Sequence, residues 1–431
     1  MMTGAKSSDL PQLSFVGKIT ILLATAVALL STPLAAPAMT GIVEAFTDQA
    51  QNEPFALAIM ALVEAIFGET GPRFLVKFVL LSVPALFIII GAPITGWICD
   101  RWGRKSLLNV SLVVFGISGV STYWADSFLF MFIGRAILGI AIAGIKTSTV
   151  AMVGDYFVGE ERKKFLGWQG SAVKFGGLGF MLIGGYLAEL DWQSPFLGYL
   201  LSFVLLPFVI FKITESMPEK GPSTIASRAA YKLEAIPKGP ALFVFISATL
   251  ASALFFVTPV QLRFFYEDKF GLSPLYFSWA VVVANGMGAL VSIWYNKVKA
   301  RLNYTSIYAL IFGTMGFGYL ILTLMPGYYS TLLGMLIAGI GFGLFIPNQS
   351  DWIMSFTAPS RRGMAVGLVT TAMFMGQFLS ALLIEPFVVE NNPDAVWQSL
   401  AVFLAVLTVI YIIFGLIEKK RGSWQVKKHP S

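Results

Sequence analysis

The 431-residue sequence has little charge and little of the side-chain chemistry that enzymes use. Asp, Glu, Lys and Arg make up 12% of it against 56% hydrophobic residues, and its mean hydropathy is +0.76. That charged share is below half the usual one, which excludes a water-soluble globule and implies an integral membrane protein. The one cysteine, Cys99, rules out a disulfide framework. The one histidine, His429, stands in a polar tail, which leaves no histidine metal site and no Ser-His or Cys-His nucleophile. No glycine-rich phosphate loop occurs, so nucleotide hydrolysis is not the energy source. No carboxylate falls at mid-span: Glu189 and Glu385 stand at outer span ends, Asp155 and Asp351 at inner ones. Without an acid pair, a metal set or an activated nucleophile at membrane depth, the chain is expected to be no enzyme and to hold no cofactor or metal.

What the sequence has is apolar length. Runs of about 20 residues cross roughly 30 Å of hydrocarbon at about 1.5 Å per residue. There are twelve: Val16–Ile42, Phe74–Trp97, Leu107–Trp124, Ser127–Val153, Phe165–Ala188, Phe196–Ile213, Ala241–Leu262, Leu275–Tyr295, Tyr304–Met325, Thr331–Ile353, Met364–Val388 and Ala395–Ile417. The first is read as a retained span, not a cleaved signal. A further apolar stretch, 55–67, makes only about 18 Å of helix. Closed off by Glu64, Glu69 and Pro72, it is expected as a short extra helix in the first outer loop, interfacial or re-entrant.

Charge sets the orientation. Lys and Arg gather in alternate loops (Arg101, Arg104 and Lys105; Arg162, Lys163 and Lys164; 214–240; Lys297, Lys299 and Arg301; Arg361 and Arg362) and in both tails. Glu44, Asp48, Glu53, Asp126, Asp191, Glu267, Asp268, Glu390 and Asp394 mark the other loops. The positive-inside bias therefore puts both termini in the cytoplasm. It also accounts for the net charge of +7 without a nucleic-acid partner. The expected organisation is an all-α membrane protein with an N-terminal tail (1–15), a six-helix bundle (16–213), a central cytoplasmic loop (214–240), a second six-helix bundle (241–417) and a basic tail (418–431). The halves carry a faint repeat: Thr32-Pro33 answers Thr258-Pro259, and Gly139 to Ala143 answers Gly339 to Gly343.

Residues 96–105 read Gly-Trp-Ile-Cys-Asp-Arg-Trp-Gly-Arg-Lys, a charged, glycine-punctuated turn between two apolar runs. The stretch resembles the Gly-x-Leu-x-Asp-Arg-x-Gly-Arg-Lys signature between spans 2 and 3 of the major facilitator superfamily, with Ile98 in place of Leu. Arg135-x-x-x-Gly139 resembles the family's element in span 4. The resemblance is closest to the multidrug and metabolite exporters, whose span 5 glycines are matched by Gly176, Gly184 and Gly185, although Phe180 and Met181 replace the central Gly-Pro. In the second half the signature has decayed to Ser292, Asn296 and Lys297. The resemblance implies two pseudo-symmetric bundles that work by alternating access. It also implies an inner gate, for which Gly96, Asp100, Arg101, Gly103 and Arg104 are the candidates, with Arg361 and Arg362. Gly96 and Gly103 are expected to let backbones approach closely. The competing reading of the stretch is a plain positive-inside loop.

Three cations lie at membrane depth, where each costs a few kcal/mol unless it faces protein or water. Arg135 and Lys146 are expected within about 20° of one face of span 4 and about 16 Å apart. Lys174 sits near the middle of span 5 and is the strongest candidate to face a cavity. Lys146 has snorkelling as its alternative, and Arg135 a structural or coupling role. Asn285, Asn348 and Gln377 are each either helix–helix glue or cavity lining. With Lys174, Lys146 and Arg135 they form the expected substrate site. A positive site without a buried acid predicts an anionic or carboxylate-bearing cargo: a drug-like compound, a metabolite or a siderophore. The expectation is a monomeric, proton-coupled exporter of the cell's inner membrane, with the small molecule, protons and lipid as its partners. The alternatives are an importer of a similar anion and a non-transporting receptor or assembly protein on the same scaffold.

Overall fold

The structure, a computed structural model, describes residues 13–67, 71–157, 159–216, 236–325, 327–357, 361–389 and 392–421. Of the expected tails and central loop, residues 1–12, 217–235 and 422–431 lie outside these. Among the described residues the chain is helical, with one isolated bridge between Val389 and Asn392 and no strand. Eleven helices among the described residues are long and apolar enough to cross a membrane, and a twelfth span is made if one bent pair is counted as a single crossing. The chain divides into two compact units, Met1–Pro222 and Ser223–Ser431.

The bent pair opens the N-terminal unit. α1 (Phe15–Val27) is followed by α2 (Ser31–Ala35), a 3-10 turn over Ala36–Ala38 and α3 (Met39–Asn52). The two arms, Phe15–Val27 and Ser31–Asp48, meet at 51°. The expectation of one continuous span over Val16–Ile42 is thus corrected to a broken one. Pro33 and Pro37 have no N–H to give the carbonyls of Leu29 and Pro33, so two hydrogen bonds are missing within two turns. α4 (Pro54–Phe67) is the short apolar helix. α5 (Pro72–Lys77), a π-helical turn (Phe78–Ser82) and α6 (Val83–Trp102) form the next span, followed by α7 (Arg104–Val120), α8 (Phe128–Tyr156), α9 (Gly159–Leu190), a 3-10 stretch (Ser194–Leu200) and α10 (Leu201–Lys212).

The expected turn at 96–105 is also corrected. α6 runs helically through Gly96, Asp100 and Trp102, and only Gly103, at φ +94°, breaks it before α7 begins. No side chain between Gly96 and Trp102 opposes a helix, and Arg104 Nη1 donates to the Cys99 carbonyl at 3.0 Å, satisfying an acceptor that the helix end leaves open.

The C-terminal unit opens on α11 (Lys238–Phe270), one unbroken helix of 33 residues with Pro259 inside it. It ends at Gly271, φ +62°, where the Gly271 and Leu272 N–H groups return to the Glu267 and Tyr266 carbonyls at 2.9 and 3.2 Å. Then come α12 (Pro274–Ile293), α13 (Tyr295–Lys299), α14 (Tyr304–Leu324), α15 (Tyr328–Ser355), α16 (Arg362–Ile384) and α17 (Asp394–Arg421). Small residues set the closest crossings in both units. A Cβ on Gly139 of α8 would stand 2.5 Å from the Pro84 carbonyl of α6, and one on Gly334 of α15 would stand 2.5 Å from the Gly318 carbonyl of α14. Gly139 therefore admits a packed helix.

Candidate functional site

The three membrane-depth cations occupy different surroundings. Arg135, on α8, is wholly buried. Its Nη1 donates to the Tyr199 hydroxyl at 2.9 Å and its Nη2 to Thr122 Oγ1 at 2.6 Å, while the Phe196 ring lies 4.9 Å from the guanidinium carbon. Eleven residues along the same helix, Lys146 is half-buried, and Lys174 on α9 is exposed. Arg135 and Lys146 both stand on one unbroken helix, but Tyr199 and Thr122 draw the Arg135 side chain into the bundle. α9 is far less enclosed than the span of α5 and α6, much of its apolar length lying exposed. Its packed edge faces the broken span. Gly176 stands against Ala26, Gly184 against the Pro33 carbonyl, and Gln169 Nε2 donates to Thr25 Oγ1 at 3.0 Å. The Pro33 carbonyl is the one that Pro37 cannot bond, and Gly184 leaves it room.

The gate candidates gather where α6 meets α7. Arg104 is buried; its Nε donates to Asp155 Oδ2 at 3.0 Å, and its Nη2 lies 3.5 Å from Asp100 Oδ1. Arg101 stacks on Trp97, 4.1 Å from the ring centroid. Gly103 caps α7 without a side chain, so the first N–H groups of that helix need an acceptor from elsewhere. Glu215, just past α10, supplies it: its two oxygens accept from the Lys105 and Ser106 N–H groups at 3.0 and 3.1 Å. A Cβ on Gly103 would meet that carboxylate at 2.5 Å. Ser216 Oγ donates to Asp155 Oδ2 at 3.0 Å, and the Tyr156 hydroxyl donates to the Thr214 carbonyl. Gly96 does not share this crowding, since a Cβ there meets no described atom within 4 Å. Sequence reasoning missed Glu215. The signal for it was a helix start, Gly-Arg-Lys-Ser, with no capping side chain of its own.

In the C-terminal unit the amides divide. Asn348 is wholly buried, accepts from the Tyr295 hydroxyl at 3.5 Å and donates to the Tyr304 carbonyl at 3.2 Å, so it joins elements of that unit. Asn285 is half-buried and its Nδ2 returns to the Val281 carbonyl of its own helix. Gln377 is buried beside Gly376, which packs against Ser252 of α11. Arg361 forms the N-cap position of α16, while the side chain of Arg362 lies outside the described residues. Tyr295 also donates to Asp351 Oδ2 at 3.1 Å. Thr305 donates to Glu418 Oε2 at 2.7 Å, and Asn303 caps α14 by accepting from the Ser306 N–H at 2.9 Å.

The sequence profile of the Major Facilitator Superfamily matches residues 21–381 and again 265–431. The quinolone resistance protein NorA of Staphylococcus aureus (strain MSSA476) is 22% identical over 344 residues, covering 77% of this chain and 86% of that protein. Multidrug resistance protein 1 of Bacillus subtilis (strain 168) is 25% identical over 314 residues, covering 69% and 77%. The crystal structure of a D-xylose-proton symporter superposes with a TM-score of 0.68 over 92% of this chain and 97% of that one, at 16% identity, a likeness of fold.

Proposed function

This chain belongs to the major facilitator superfamily, and we propose that it is a proton-coupled exporter of a small organic anion, one bearing a carboxylate. As a member of that family it is a multi-pass membrane transporter and not an enzyme. The observation that carries the anionic cargo is Lys174, exposed on the little-enclosed α9, with Lys146 half-buried on the preceding α8. An ammonium at membrane depth is retained where it meets water or an opposite charge, and a carboxylate supplies that charge in transit. Asn285 and Gln377 are further candidate hydrogen-bonding residues, and Arg135 and Asn348 hold neighbours within their own units. Export is supported by the resistance proteins among the relatives, and a gradient as energy source by the missing nucleotide loop. The Lys and Arg distribution supports a cytoplasmic position for both termini and, with them, for the Gly103 end of the first bundle. Asp100, Arg101, Gly103 and Arg104 are assigned to the inner gate.

The test is ligand-dependent thermal stabilisation of the purified protein. Citrate is expected to stabilise it and ethidium is not, and Lys174→Gln is expected to weaken the citrate effect about tenfold in concentration, about 1.4 kcal/mol. Stabilisation by ethidium alone, unaltered in Lys174→Gln, would remove the anionic reading.

A further inference from the structure

The broken first span is held from inside its own unit. Val27 ends α1, and the chain resumes as α2 at Ser31. The Ser31 carbonyl accepts from the Tyr199 hydroxyl, at 3.4 Å the longest link of a chain that begins at Arg135. Arg135 donates to the oxygen of that same hydroxyl at 2.9 Å. A guanidinium bonding a phenol oxygen polarises the O–H and directs its hydrogen away from the arginine, which here means toward the span. The tyrosine has little freedom to turn elsewhere. Its ring lies against Gly119, where a Cβ would overlap it, and 5.2 Å from the Phe115 ring. Around the same break Gly184 receives the Pro33 carbonyl, and Gly198 receives Leu34, whose Cδ1 would stand 2.8 Å from a Cβ there.

A buried guanidinium bonded to two hydroxyls, with no carboxylate within ion-pairing distance among the described residues, costs free energy that a simple packing residue would not. Its retention calls for work that an apolar side chain does not do. We propose that Arg135 is a positioning residue: through Tyr199 it fixes the angle between the two arms of the first span. Arg135 then acts on transport through the backbone of the first span, touching neither cargo nor proton.

The inference extends beyond the exporter reading, and its readout needs no substrate. Spin labels at Phe15→Cys and Ala45→Cys, in a Cys99→Ala background, sit on the two arms, and electron–electron resonance reads their separation in the full-length reconstituted protein. The parent is expected to give one narrow distribution. Arg135→Met and Tyr199→Phe are each expected to broaden it and to lengthen it by up to about 4 Å, the difference between a 51° bend and a straight helix of that length. The double variant is expected to add nothing further, because both act through one link. Tyr199→Phe keeps the ring and its packing, so it decides the matter even where Arg135→Met fails to fold. An unchanged distribution in Tyr199→Phe overturns the proposal, whatever Arg135→Met does, and so does a double variant whose effect is the sum of the two.

Discussion

The first and seventh spans carry the same Thr-Pro pair, at Thr32-Pro33 and Thr258-Pro259, and the structure treats them differently. The first breaks after Val27 and turns by 51°, whereas α11 runs unbroken for 33 residues. Both are watched by a buried tyrosine hydroxyl. Tyr199 reaches the Ser31 carbonyl, and Tyr319 reaches the Leu254 carbonyl at 3.2 Å and Thr258 Oγ1 at 3.0 Å. The difference lies in what stands around them. The first span has a second proline, Pro37, one turn on, and an arginine behind its tyrosine. α11 has one interior proline, Pro259, its other, Pro240, lying in the first turn, and Met335 is the residue on α15 that corresponds to Arg135. One missing hydrogen bond is absorbed within a helix; two in successive turns, with neighbours shaped to take the bend, are not.

The same contrast recurs where the third helix of each bundle begins. In the N-terminal unit a bare Gly103 is completed by Glu215 and the Arg104–Asp155 pair. In the C-terminal unit Asn303 caps its own helix, Tyr295 replaces the arginine as partner of an aspartate, and Glu418 stands where Glu215 would. One unit is fastened with charge and the other mostly with neutral donors, so equivalent substitutions are expected to hurt them unequally.

The largest effect is expected from Asp155→Asn, which takes the nearer carboxylate from the buried Arg104 guanidinium, leaving it the exposed Asp100, and should lower stability by about 3 kcal/mol. Its counterpart Asp351→Asn loses a bond from a neutral phenol and should cost about 1 kcal/mol. Thermal unfolding of the two variants side by side checks the ranking, and equal losses would erase the contrast. Gly103→Ala comes next at about 2 kcal/mol, since its φ of +94° and the Glu215 carboxylate both oppose a side chain. Adding Glu215→Ala should recover part of that loss by clearing the contact. Asn303→Ala, which removes a helix cap and the Nδ2 bond to the Gly415 carbonyl, should cost about 1.5 kcal/mol by the same assay. The smallest effect is expected from Pro259→Ala, within about 0.5 kcal/mol, because α11 is already continuous. A large stabilisation there would mean that the proline strains the helix.

Span number and the family signature were legible because hydrocarbon thickness and a ten-residue motif both write themselves locally into sequence. The break in the first span was not. Pro93, Pro207, Pro259 and Pro347 all lie inside unbroken helices, so a proline by itself announces nothing here. Lys174 was recognisable as a cation at membrane depth. The surroundings of Arg135 were not, because Tyr199 and Thr122 lie 64 and 13 residues away and only the folded bundle brings them to it. Gly96 and Gly103 looked alike in the signature and differ in the structure, one open and one crowded by a residue from beyond α10.

The most direct test of the account is flux. Full-length protein is reconstituted into proteoliposomes, a proton gradient is imposed, and movement of labelled citrate is followed against ethidium. The account predicts gradient-dependent citrate exchange that falls about tenfold in Lys174→Gln, with the variant still folded. Gradient-driven ethidium movement with no citrate movement, indifferent to Lys174, would contradict it.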